Sequence, residues 1–257
     1  MEPPWVEVYW WIINNYRLVE KMQSREAINT MWEKRWKSND LPWDMPQGSP
    51  YVTQYFQDMV QGTVKGKRVL VPFCGATVDM FWFYKQKVAV VGVEFSEAAC
   101  NYFFQRLSLD YTIDTKDGYT IYTHNEMLKI YQCDFFYTDV DMLGGLFDYC
   151  VDIGGLVSTA AEERQRYVAQ VTKLLVPQGR VLLECFEYDM SLRKQPPYSI
   201  PTETLKQCLS DVYEIKELRR NTEDELPQNC IAHVGYNTVH VVYQLIRKSV
   251  CKSKNAK

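Results

Sequence analysis

The chain has 257 residues, 46% hydrophobic and 14% aromatic, with a formal net charge of -3. That length and apolar content suit one large α/β domain over residues 1–257, and the acidic balance excludes nucleic acid as the main partner. Val8 to Ile13 is apolar but far short of the ~20 residues a membrane helix needs, and Glu2 and Glu7 do not suit a signal peptide, so no membrane partner is expected.

Residues 1–30 read as an amphipathic helix with apolar positions at Trp10 to Ile13, Leu18-Val19 and Met22. Trp32 and Trp36 follow, four apart and so on one helix face. Pro42 and Pro46 force an extended loop carrying Trp43, and helix resumes from Tyr51 to Gln61, which makes residues 1–61 a helical cover. Val69 to Val71 is a short β-branched run broken by Pro72-Phe73-Cys74-Gly75. Thr77 to Lys87 has helical spacing, and the buried run Val88 to Val93 ends on Glu94. This is a βαβ unit with an acid ~20 positions after the turn glycine.

Ser96 caps a helix through Leu107. Asp117-Gly118 turns a hairpin within Asp110 to Phe136, and Met127 to Cys133 is a core strand ending at Asp134-Phe135. Gly144-Gly145 leads into a strand from Leu146 to Val151 that ends at Asp152. A helix from Ala160 to Val176 is stopped by Pro177-Gln178-Gly179, and Arg180 to Phe186 is another buried strand. The loop from Lys194 to Pro201 precedes a helix capped by Thr202. Strands at Val212 to Leu218 and Thr238 to Ile246, separated by a polar loop over Arg219 to Gln228, complete the chain, with a frayed basic tail over 248–257 that begins about Arg247 and Lys248. Strands alternating with helices predict a mostly parallel sheet with helices on both faces, a Rossmann-like three-layer sandwich.

Ligands of such a sheet lie outside the carboxyl ends of its strands. That rule selects the Phe73 to Gly75 turn, Glu94, Asp134-Phe135 and Asp152. Acids after successive strands suit a cationic adenosine cofactor: one can hold the ribose, another the adenine amino group, a third an ammonium or sulfonium. A dinucleotide fingerprint needs three glycines, whereas here only Gly75 is present, Phe73 fills the first place, and its bulk would obstruct a pyrophosphate. The pattern points to S-adenosylmethionine. Asp152 fits both a ligand acid and a strand-end cap, and the tryptophans fit both core aromatics and faces over a sulfonium or adenine. Pro196-Pro197-Tyr198 is either a stiff connection or a pocket rim. His124, His233 and His240 have no partner at catalytic or metal spacing and read as structural or surface groups; no metal is expected. The eight cysteines, Cys230 and Cys251 among them, form no CxxC pair, which predicts reduced thiols and a cytoplasmic protein.

The segments WEKRW…PWD, VLVPFCG, VVGVEFSE, FDYCVDIGGL and QPPYSIP, in this order over residues 28–246, resemble the thiopurine S-methyltransferase family and its thiol and halide methyltransferase relatives. The resemblance implies a class I S-adenosylmethionine-dependent methyltransferase with a seven-stranded sheet whose last strand is antiparallel. It implies that Trp32 and Trp36 line the cofactor and that Trp43 meets the methyl acceptor, with Tyr198 beside it. Phe73 and Gly75 match the turn beneath the cofactor, Glu94 the ribose acid, and Phe95 its adenine-packing neighbour. Asp134 and Phe135 match the adenine-edge pair, and Asp152 and Ile153 the residues near the methionine moiety.

Thiopurine-methylating members carry an arginine where this chain has Ile153, and another before the last strand, with no equivalent between Cys230 and Thr238. The expected acceptor is therefore a small, soft nucleophile, a thiol or selenide, and no catalytic base is required. The alternative is a degenerate member of the family that binds cofactor, or a partner protein, without turnover; the enzyme itself is expected to be a monomer.

Overall fold

The computed structural model describes residues 25–60, 62–191, 195–222, 225 and 237–249. The expectations for residues 1–24, Gln61, Lys194, Cys230, His233, Cys251 and the end of the basic tail lie outside the described residues. The chain divides into two compact units, residues 1–41 and 42–257. In the first, helix α1 spans 25–37 and is closed by a hydrogen bond from the Asp40 amide to the Arg35 carbonyl.

In chain order the second unit runs α2 (Pro50–Met59), β1 (Arg68–Pro72), α3 (Asp79–Lys85), β2 (Ala89–Glu94) and α4 (Glu97–Arg106). Then come β3 (Thr112–Lys116), β4 (Tyr119–Asn125), β5 (Leu128–Gln132), β6 (Phe147–Asp152), α5 (Arg164–Leu174) and β7 (Leu175–Glu187). It closes with α6 (Thr202–Leu209), β8 (Tyr213–Asn221) and β9 (Val239–Arg247). Short 3-10 turns lie at Phe135–Tyr137, Leu156–Ser158 and Ala161–Glu163.

The strands of the described residues form one sheet in the order β3-β4-β5-β2-β1-β6-β7-β9-β8. Seven of them, from β5 to β8, are the expected set, and β9 runs antiparallel to both its neighbours. The hairpin read from Asp117-Gly118 adds β3 and β4 at the β5 edge and extends the sheet to nine strands. The central strands are near-continuous apolar runs because both of their faces are covered: Val69, Leu70, Val93, Cys150, Val151 and Leu182 are wholly buried. By contrast β3 is exposed at every position.

Several expectations change. α5 stops at Leu174, and Leu175 already pairs with Phe147, so Pro177-Gln178-Gly179 lies inside β7 instead of ending a helix. Pro177 cannot donate to a ladder, and pairing resumes at Arg180 after a bulge in which Gln178 has φ 64°. Arg219 to Asn221, read as loop, complete β8. Lys248 is held at the end of β9, its amide donating to the Val212 carbonyl. No helix among the described residues is long and apolar enough to cross a membrane. The sheet order reverses at β1, between β2 and β6, and this places a crevice at the carboxyl ends of those strands.

Candidate functional site

The crevice is built on the turn after β1. Phe73 has φ 48° and Gly75 φ 50°. A left-handed phenylalanine costs of order 1–2 kcal/mol, and the turn is held by the Cys74 amide donating to the Val93 carbonyl at 3.0 Å. The Phe73 ring does not stand over the turn: it packs edge-on against Phe135 (centroids 5.8 Å) and Tyr167 (5.6 Å). The case against a pyrophosphate ligand therefore rests on the absent glycines, and the expected obstruction by this ring is corrected.

Glu94, at the end of β2, is 8% exposed. Its Oε2 accepts the Gly75 amide at 2.8 Å and its Oε1 accepts the Ser96 amide at 2.7 Å. The strand-end acid thus couples the turn to the start of α4, whose first residues are capped by the Ser96 hydroxyl. Phe95, beside it, is 42% exposed. Asp134 caps the next 3-10 turn, accepting the Phe136 amide at 2.9 Å. Phe135 is turned into the core, 1% exposed, and the ring left outside is Tyr137 at 68%, with the Arg166 guanidinium over both Phe136 and Tyr137.

Asp152 stands at the end of β6, but its carboxylate is directed into the fold. Oδ1 accepts the amides of Gly155 (2.8 Å) and Leu156 (3.1 Å), and Oδ2 accepts the Tyr167 hydroxyl (2.8 Å). Burial pushes its pKa up to about 6 against the pull of these three donors. Burial also holds the Tyr167 hydroxyl well above the usual range, so that it keeps its proton to donate. Of the two readings the sequence left open, the side chain fills that of a strand-end cap, and Ile153, half-buried in the bend that follows, is shaped by it.

The two expected acceptor residues lie on loops. Tyr198 is half-buried. Its loop is held by the Tyr198 amide to Val157 O (2.6 Å), Ile200 N to Phe186 O (2.7 Å), Tyr188 N to Ser199 Oγ (2.9 Å), Arg164 Nη2 to Ser199 O (3.3 Å) and the Tyr188 hydroxyl to Pro197 O. Trp43 precedes Asp44, which pairs with Arg106 at 2.8 Å. Trp32 and Trp36 belong to α1 in the first unit, where the Arg35 guanidinium lies 5.8 Å from the Trp32 ring.

Sequence reasoning missed a buried polar network behind the turn. Asp79 accepts the Ser49 amide and the Thr77 hydroxyl, and the Ser49 hydroxyl donates to Glu184. Glu184 pairs with His240 Nε2 at 2.9 Å, while the Asn221 amide reaches His240 Nδ1 and the Tyr51 hydroxyl. Since Asn221 donates, the His240 proton sits on Nε2 and goes to Glu184. His240 is thereby structural, as read. The six described cysteines are free thiols; burial drives Cys74, Cys150 and Cys185 well up and Cys133 to about 12, so none of these four is a nucleophile at neutral pH.

Comparison with known proteins adds to this geometry. The family model for thiopurine S-methyltransferase matches residues 27–248. A thiopurine S-methyltransferase of Psychrobacter cryohalolentis is 33% identical over 198 residues, 73% of this chain and 86% of that protein. One from Azotobacter vinelandii is 30% identical over 73% of this chain and 84% of its own length. Among solved structures, the Burkholderia thailandensis 1,6-didemethyltoxoflavin-N1-methyltransferase with bound S-adenosylhomocysteine superposes with a TM-score of 0.61 over 88% of this chain and 90% of that one, at 16% identity. That likeness supports a shared class I methyltransferase fold.

Proposed function

The chain belongs to the thiopurine S-methyltransferase family, and from that premise we propose how its residues carry the reaction. It is an S-adenosylmethionine-dependent methyltransferase. The observation that carries the residue assignments is the Gly75–Glu94 hydrogen bond at the point where the strand order reverses. A carboxylate fixed beside a glycine-poor turn suits a ribose and a cationic sulfonium better than a pyrophosphate.

When bound, the cofactor supplies a methyl group on a sulfonium, with a neutral thioether as leaving group. Glu94 takes the ribose hydroxyls, Phe95 packs the adenine, and Asp134 with the backbone of Phe135 meets its edge. Phe73 and Gly75 form the floor. Asp152 acts at the methionine end by shaping the Ile153 bend through its cap. Trp43 and Tyr198 orient the acceptor and exclude water, so catalysis is positioning and desolvation. A thiol with a free pKa near 8.5 is partly ionised at neutral pH, and no base is needed.

The acceptor class is a small thiol or selenide. Family membership supports a sulfur nucleophile, and Ile153 in place of the family's arginine supports an uncharged body. A cofactor-binding chain without turnover finds no support in relatives that are enzymes. We place the protein in the cytoplasm on its free thiols. We take it as a monomer because the large exposed apolar side chains among the described residues, Phe95, Ile113, Tyr137, Leu146 and Met190, are scattered along the chain.

Calorimetric titration with S-adenosylhomocysteine tests the cofactor: saturable binding is expected, and none at millimolar ligand sinks the reading. Glu94→Ala should weaken that binding at least about tenfold, the loss of one charge-assisted hydrogen bond. A panel of thiophenol, 2-mercaptoethanol, hydrogen selenide and an anionic thiopurine, read by mass, tests the acceptor. Preference for the anionic member would overturn the assignment to uncharged acceptors.

A further inference from the structure

Arg106 is the last residue of α4, where a cation commonly faces solvent and serves the negative end of the helix dipole. Here its side chain is 12% exposed. Its Nη1 donates to Asp44 Oδ1 at 2.8 Å and to the Ala76 carbonyl at 3.1 Å, and its guanidinium lies 5.1 Å from the Tyr102 ring. Asp44, 17% exposed, directly follows Trp43. Ala76 directly follows Gly75, whose amide Glu94 holds. One guanidinium therefore joins the loop that presents Trp43 to the turn after β1.

We propose that Arg106 is a positioning residue for methyl transfer: by gripping Asp44 and the Ala76 carbonyl together it sets the Trp43 loop against the cofactor turn. The inference rests on the proposed function, in which that turn underlies the cofactor and Trp43 meets the acceptor. A single donor nitrogen, Nη1, serves both acceptors. Lysine keeps the charge and can donate to two acceptors from its one nitrogen. The two contacts divide the work, the Ala76 carbonyl fixing the cofactor floor and Asp44 fixing the acceptor side.

The test uses the full chain with S-adenosylhomocysteine in calorimetry and the fastest member of the acceptor panel in steady-state kinetics. Arg106→Met should weaken S-adenosylhomocysteine about tenfold and raise the acceptor KM by a similar factor, while Arg106→Lys recovers most of both. Asp44→Ala should raise the acceptor KM about tenfold and leave S-adenosylhomocysteine affinity within about twofold. A purely structural role would instead lower Tm and the active fraction with both constants unchanged, and that result overturns the inference. Should Arg106→Met fail to fold, an unchanged acceptor KM in Asp44→Ala overturns it equally. If the unmodified chain does not bind S-adenosylhomocysteine, the functional reading falls first and takes this inference with it. Wild-type binding with indifferent variants removes the inference alone.

Discussion

A Cβ on Gly155 would stand 2.0 Å from the Tyr167 hydroxyl oxygen and 3.0 Å from Asp152 Oδ1. Tyr167 cannot retreat, because its ring is wedged against Phe73 and Phe135. Gly155→Ala is expected to cost about 1–3 kcal/mol, as overpacking of a tight interior does. Gly154→Ala, where nothing lies within 4 Å of the added carbon, should leave the urea midpoint near wild type. Equal midpoints for the two variants would refute the packing argument. At this scale the sequence announces residues whose role follows from local position: Glu94 and Asp152 are readable because a strand end is a local fact. Tyr167 and Arg106 are not, since their partners lie 15 and 62 residues away and meet them only through the packing of α5 and α4. Phe135 was legible as a strand-end residue but not in direction, because the 3-10 turn Phe135–Tyr137 sends its rings different ways.

α2 shows how an element can be placed by polar groups as firmly as by its apolar stripe of Val52, Phe56 and Met59. Its N-cap, Ser49, gives its amide to Asp79 and its hydroxyl to Glu184, and so anchors the helix to the start of α3 and to β7 at once. Asp79 is 2% exposed, and burial raises its pKa to about 7, with the neighbouring Glu184 adding to the shift and Thr77 and Ser49 opposing it. A carboxyl raised in the fold binds its proton more tightly than in the unfolded chain. It therefore favours folding below about pH 4, and that contribution is lost as pH rises to about 7. Asp152, raised to about 6 by burial, acts in the same direction. Thermal melts should show stability falling between pH 4 and 7, by up to about 1.4 kcal/mol per pH unit for each titrating group. Asp79→Asn should flatten the slope, and an unchanged slope would show that Asp79 does not titrate there. Element type was mostly legible from periodicity. The start of β7 was not, because Leu175 and Val176 suit a helix end as well as a strand, and only pairing with Phe147 decides between them.

At the scale of the molecule, alternating strands and helices were enough to read a parallel sheet, and a turn dipeptide was enough to read the hairpin. The strand order was out of reach of periodicity alone, because it depends on which crossovers place β6 beside β1. The hairpin closes one sheet edge with Thr112, Asp114, Thr115 and Lys116 in place of core residues, a means of blunting an edge against other chains. Ile113, 55% exposed, is the exception. Ile113→Lys is expected to change stability by less than about 0.5 kcal/mol and to leave S-adenosylhomocysteine affinity intact; a large Tm loss would mean that the residue is covered in solution. Phe73 has a different consequence. Its backbone would relax on becoming glycine, yet its ring fills space beside Phe135, Phe136 and Tyr167. The two demands on this position oppose each other: the substitution that relieves the left-handed backbone also hollows the core beneath the turn.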